Sequence, residues 1–130
     1  MWKYYNPNPT ATNKEKRWKK PDCTVRSLCK ATGLDWADMF KKLCDNALEV
    51  YDMPNSMEVL ERTLGEFDFT KHSYKRGEKR ETVKEFCKAH KEVAVLRLAN
   101  HVVCCSGGDY FDTWDCGNKT AYCYYTKDKK

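Results

Sequence analysis

The sequence predicts a single α+β domain, with helices first and an antiparallel β-sheet at the C-terminal end, the helices packed on one face of that sheet. Three observations predict it. Apolar residues recur at helical spacing in four windows between residues 23 and 89. The apolar pattern changes to strand-like runs after Val93. The chain has 130 residues, 41% of them hydrophobic, which is close to the commonest size of one domain and sufficient for a core.

Residues 1–20 read as an irregular, polar N-terminal segment. Asn6-Pro7-Asn8-Pro9 is turn chemistry, because proline disfavours helix at the residue before it. Asp22 then stands as an N-cap for a first helix over 23–31, with Val25, Leu28 and Cys29 inward and Gly33 placed to end it. A second helix follows the cap Asp35, with Trp36, Met39, Phe40, Leu43 and Leu48 as its apolar face. A third starts after Asn55, with Glu58 three residues on as in a capping box, carries Met57, Leu60 and Leu64, and stops at Gly65. A fourth covers 82–89, with Val83, Phe86 and Cys87 inward. Strands are expected around Val93, Val95 and Leu96, over 101–105, over 110–114 and over 121–125, with Gly107-Gly108 as a hairpin turn. No internal repeat or low-complexity segment interrupts this order.

The charge is mildly basic, 24 Lys and Arg against 19 Asp and Glu, a net of +5. The excess gathers at Lys14, Lys16, Arg17, Lys19 and Lys20, at Lys71, Lys75, Arg76, Lys79 and Arg80, and at Lys127, Lys129 and Lys130. Such runs are ordinarily solvated surface. A nucleic-acid reading would add the aromatics Trp2, Tyr4, Tyr5 and Trp18 as stacking platforms, but the chain carries no recognisable nucleic-acid-binding motif. The longest apolar run, 93–105, is broken by Arg97, Asn100 and His101 and is too short to span a membrane. The N-terminus has no apolar signal core. The expected location is therefore the cytoplasm, where the eight cysteines stay reduced. Cys104, Cys105, Cys116 and Cys123 lack the spacing of a zinc site, so no metal or other cofactor is expected. Cys29, Cys44 and Cys87 fall on apolar helix faces and read as core.

Cys23 and His101 remain. A nucleophilic thiol needs help to ionise, a base within reach, and a group that orients the base. Cys23 is the first helical residue after a cap, where the helix dipole and free N–H groups favour a thiolate and an oxyanion. Asp22 beside it opposes ionisation if its side chain turns toward the sulfur, and less so if it caps the helix. His101 opens an apolar strand, and the strand after the Gly107-Gly108 hairpin returns two carboxylates, Asp112 and Asp115, either of which is placed to orient the imidazole.

These segments resemble a known group. Asp22-Cys23-Thr24-Val25-Arg26-Ser27-Leu28 with Ala31-Thr32-Gly33 and Trp36 is similar to the nucleophile helix of small papain-like proteins, found mostly in bacteriophages and gut bacteria. Leu98-Ala99-Asn100-His101-Val102-Val103, Tyr110-Phe111-Asp112-Thr113-Trp114-Asp115 and Met53-Pro54-Asn55-Ser56 agree, so the resemblance spans nearly the whole chain. It implies a papain-like fold and a cysteine peptidase-like hydrolase acting on a peptide or protein substrate. It implies Cys23 as nucleophile, His101 as base and Asp112 as orienter, since Asp112-Thr113-Trp114 looks like the Asn-Ser-Trp stretch of papain-like enzymes. Asp115 is the second choice. The chain departs from the pattern in one respect: papain-like enzymes place a Gln shortly before the nucleophile, and this sequence has Arg17, Trp18, Lys19, Lys20 and Pro21 there and no Gln anywhere. Asn6 is the chosen substitute, ahead of Asn8 and Asn13. The same residues also suit transglutaminase-like acyl transfer. A catalytically silent domain of this fold, used to bind and block a host protein, is the alternative that keeps the fold and drops the chemistry.

Overall fold

The computed structural model describes residues 1–11 and 20–127. Asn13, Lys14, Lys16, Arg17, Trp18, Lys19, Lys129 and Lys130, which enter the sequence reading, lie outside them. The described residues form helices α1 (Cys23–Thr32), α2 (Trp36–Val50), α3 (Met57–Glu66) and α4 (Val83–Ala89). Their strands are β1 (Trp2–Tyr4), β2 (Phe69–Ser73), β3 (Ala94–Leu98), β4 (His101–Ser106), β5 (Asp109–Asp112) and β6 (Cys123–Lys127). The architecture is mixed α+β around one open sheet in the order β1-β5-β4-β3-β6-β2.

Helix starts follow local chemistry at three of the four helices. Asp35 accepts from the Asp38 N–H, Ser56 from Val59, and Thr82 from Glu85 in a reciprocal capping box. Ser56 therefore caps α3, one residue beyond the expected Asn55. At α1, Asp22 holds the N-cap position but its side chain makes no capping bond. This corrects the expected side-chain cap at that helix. Gly33 ends α1 with φ of 84°, a left-handed conformation in which a side chain would be strained.

The sheet departs from expectation in three ways. It is mixed, because β1 runs parallel to β5 in the register Trp2↔Tyr110 and Tyr4↔Asp112. Three residues give no readable period, so β1 is held by tertiary bonds instead: the Trp2 Nε1–H donates to the Asp112 carbonyl at 3.1 Å, and the terminal ammonium reaches Gly108 O at 3.1 Å. Strand β2 was also unforeseen. Its Phe-Thr-Lys-His-Ser sequence buries only Phe69, and it completes the far edge by pairing antiparallel with β6. Third, the sheet carries apolar packing on both faces. One cluster joins Leu28 of α1, Leu43 of α2 and Leu60 of α3 to Val95, Val102 and Tyr125. The other joins Phe86 of α4 to Leu96, Val103, Cys105 and Tyr110. Strand neighbours such as Val102 and Val103 thus go to opposite faces, and a strand buried on both sides reads as an unbroken apolar run. That is why 102–105 shows no alternation.

Strands β3 and β4 form a two-residue hairpin through Ala99 and Asn100, with Leu98 opposite His101. Asn100 adopts φ of 52°, a region that asparagine enters more readily than most residues. Strands β4 and β5 meet through Gly107 and Gly108, both at positive φ, which suits the twist of a tight hairpin. The Ser27 hydroxyl donates to the Val102 carbonyl at 2.9 Å and fixes α1 across β4. Phe40 and Leu48, expected on the buried face of α2, are exposed, and Cys44 is half-buried; Met39, Leu43 and Ala47 carry the packing instead. No helix among the described residues is long and apolar enough to cross a membrane.

Leu28 is fully buried in the cluster that seats α1 on the sheet, whereas Leu48 is 74% exposed. Leu28→Ala is expected to lower unfolding free energy by about 2–5 kcal/mol, and Leu48→Ala by less than about 0.5 kcal/mol. Urea unfolding followed by circular dichroism measures both.

Candidate active site

Cys23 is the first residue of α1 and lines a cleft of about 510 Å³ with His101, Thr24, Asn55, Ser56, Asn100 and Tyr122. The helix's first backbone bond runs from the Arg26 N–H to the Asp22 carbonyl at 2.9 Å. The N–H groups of Cys23, Thr24 and Val25 lie upstream of it, among those an α-helix leaves without an internal partner. Burial opposes ionisation of Cys23. Its hydrogen bonding and charge interaction with His101, a bond from Val102 and the nearby Arg26 charge outweigh burial, and the thiol pKa is lowered from its ordinary value.

His101 stands at the first position of β4, and Asp112 at the last position of β5. The hairpin register that pairs Cys105 with Tyr110 brings these two ends together. His101 Nε2 pairs with Asp112 Oδ2, which leaves Nδ1 as the ring nitrogen free to serve the thiol. The Trp114 ring packs tilted against the imidazole, with centroids 4.8 Å apart. Burial alone would push the imidazole pKa down. Asp112, the Cys116 thiol and Cys23 outweigh it and raise His101 to about 11. Burial likewise pushes Asp112 up, but bonds from His101 and from the Thr113 N–H at 2.7 Å, with the charges of His101 and Arg26, bring it below the ordinary carboxylate value. Both shifts run in the direction that favours a thiolate beside an imidazolium.

Asp115 is not part of this group. Its carboxylate accepts from the Tyr110 hydroxyl and from the Gly117 N–H at 2.9 Å. Asn6 turns its Oδ1 to the Asn8 N–H at 3.1 Å and is not among the residues lining the cleft. Asn8 donates to Asp22 Oδ2 at 3.0 Å. The carboxamides that do line the cleft are Asn55 and Asn100, neither chosen from the sequence.

Two further residues, Arg26 and Cys116, join the group although the sequence assigned them no part in it. Arg26 is buried and its guanidinium spans two carboxylates, Nη1 on Asp22 Oδ1 and Nη2 on Asp112 Oδ1 at 3.1 Å. The Asp22–Arg26 half has the i, i+4 helical spacing and was in principle visible; the Asp112 half needed the fold. Asp22 is completed by the Trp36 indole N–H at 3.0 Å. Cys116 is fully buried beside His101, and donor atoms of His101, Asp112 and Cys116 lie within 4.8 Å of one another. These are ligand types that zinc accepts. Two features oppose that use: burial raises the Cys116 thiol pKa, and Arg26 already occupies Asp112. Cys104, Cys105 and Cys123 do not join the cluster.

No family model, curated protein or solved structure matches the chain. Functional inference therefore rests on the geometry of the cleft.

A pH dependence follows from these shifts. His101 has a raised folded pKa, so its contribution to stability is complete below the unfolded value of about 6.5 and is lost as pH rises toward about 11. Asp112 has a lowered folded pKa, so its contribution is present above the unfolded value of about 3.9 and is lost as pH falls. The thermal midpoint of the wild type is expected to decline between pH 7 and 10 more steeply than that of His101→Ala. Scanning calorimetry across pH checks it, and equal slopes would show that His101 is not held as a cation.

Proposed function

We propose that the protein is a papain-like thiol hydrolase that cleaves a peptide, isopeptide or related amide bond, with Cys23 as nucleophile, His101 as base and acid, and Asp112 as orienter. The observation that carries this reading is geometric: Cys23 at the start of α1 and His101 line one cleft, and the imidazole is held by the buried Asp112 carboxylate. The chain order Cys, His, Asp and the Trp114 ring packed against His101 support it.

In this reading the Cys23 thiolate attacks the substrate carbonyl carbon. The C=O π electrons move onto oxygen, and the oxyanion meets the unpaired N–H groups at the start of α1. The imidazolium of His101 gives its proton to the leaving nitrogen as the C–N bond breaks, leaving an acyl thioester on Cys23. Neutral His101 then takes a proton from water, the hydroxide adds to the thioester, and the thiolate leaves. An amine in place of water would give acyl transfer through the same groups. A reducing, cytoplasmic setting suits a mechanism that requires a free thiol.

The test is selective alkylation. At pH 6 with limiting iodoacetamide, Cys23 is expected to react at least about tenfold faster than Cys44, the other partly exposed thiol, because His101 lowers the Cys23 pKa and so favours its thiolate. His101→Ala is expected to remove that advantage. Hydrolysis of a mixed peptide library, read by mass spectrometry, should disappear in Cys23→Ala. If Cys23 and Cys44 react at equal rates, the hydrolase reading fails and a binding module on the same scaffold takes its place.

A further inference from the structure

The four helices have an Asp, Ser or Thr at the N-cap, Asp22, Asp35, Ser56 and Thr82, and all but the first form a side-chain cap. Asp22 is as good a capping residue as the others. Capping by Asp22 would place its carboxylate on the N–H groups that begin α1, beside the sulfur of Cys23. Instead the carboxylate is held elsewhere: Oδ1 by Arg26, Oδ2 by Asn8 and Trp36, each at 3.0 Å. Arg26 also grips Asp112, on the oxygen not used by His101. The side chains of Arg26, Asp22 and Asp112 are 9%, 8% and 2% exposed, so solvent screens their charges little.

The geometry assigns Arg26 as a positioning residue of the site: one guanidinium draws Asp22 off the helix start and neutralises it, and braces the far side of the carboxylate that holds His101. This rests on the hydrolase reading above and deepens it. Two consequences follow. First, the helix start stays open for an oxyanion, where a capped one would be filled by Asp22. Second, the charge balance is set. Asp22, Asp112 and a Cys23 thiolate carry three negative charges, and Arg26 and His101 supply two positive ones. Without Arg26 the excess negative charge doubles from one to two and falls beside the sulfur. The opposite effect of Asp22 and Arg26 on Cys23 makes their substitutions compensate one another, which a merely structural arginine would not do.

The experiment is the pH profile of Cys23 alkylation by iodoacetamide on the wild type, Arg26→Met, Asp22→Asn and the double variant, with His101→Ala alongside and circular dichroism to confirm folding. Arg26→Met is expected to raise the apparent pKa of Cys23 by about one unit or more, the size of effect one close charge produces, and so to slow alkylation at pH 6 about tenfold. Asp22→Asn in the Arg26→Met background is expected to return most of that shift. Asp22→Asn alone is expected to lower the apparent pKa further, and this arm stands even if Arg26→Met does not fold. An unchanged pKa in Arg26→Met, no recovery in the double variant, or an unchanged or raised pKa in Asp22→Asn would overturn the assignment. Failure of the hydrolase reading is told apart by the controls: there the wild-type profile is that of a free thiol and His101→Ala leaves it as it was.

Discussion

The ion cluster at Asp112 is the constraint on which the rest of the site depends. Its carboxylate is 2% exposed and faces two cations, Arg26 of α1 and His101 of β4. A buried carboxylate is tolerable only with such partners, and removing one partner of a buried pair costs about 3–5 kcal/mol. Asp112 therefore ties three elements together. Helix α1 must lie across the β4–β5 hairpin for Arg26 to arrive, and the hairpin register must be correct for His101 to arrive. The backbone carbonyl of the same residue receives the Trp2 indole N–H and the Tyr5 N–H, each at 3.1 Å, which seats β1 on the sheet edge. One residue thus links strand β1, helix α1 and His101 of β4.

The lowered pKa of Cys23 comes from this assembly rather than from the helix start alone. A helix N-terminus contributes about half a unit of positive charge, screened within a turn. Burial works against the thiolate at this position. The balance tips because the imidazole opposite is itself kept protonated by a carboxylate whose pKa is lowered, first by His101 and in part by Arg26. Charge of alternating sign runs along the row Arg26, Asp112, His101, Cys23, with Asp112 buried at its centre. Cys116 adds a buried thiol next to His101 without competing for the proton, since burial raises its own pKa.

Much of this was legible in the sequence because much of it is local. Gly33, Asp35 and Thr82 mark helix ends by backbone chemistry that needs no tertiary context, and Gly107-Gly108 marks the hairpin for the same reason. Cys23, His101 and Asp112 were legible as residue types at a helix start, a strand start and a returning strand. Choosing between Asp112 and Asp115 was not possible from residue types, because both follow the hairpin and only the register and the Tyr110 hydroxyl separate them. Strands β1 and β2 were illegible for a different reason. Each is a short edge strand with few buried side chains, held by pairing to a neighbour rather than by its own pattern. The placement of α4 on the opposite face was hidden by β4, whose continuous apolar run hides which residue faces which layer.

The start of α1 is where local and global preferences part. Asp at an N-cap, followed by a helix with no acidic residue in its first turn, is locally set up to cap itself. A chain selected for stability alone would use that bond, as α2, α3 and α4 use theirs. Here the fold spends three donors from three different segments, Asn8, Arg26 and Trp36, to satisfy Asp22 in another direction. Natural sequences are locally consistent over most of their length, and the exceptions concentrate where a site is built. The exception falls on the residue before Cys23. The proposed hydrolase reading accounts for it: packing the thiol would require nothing of Asp22, whereas an oxyanion and a thiolate at the start of α1 both favour its carboxylate being elsewhere.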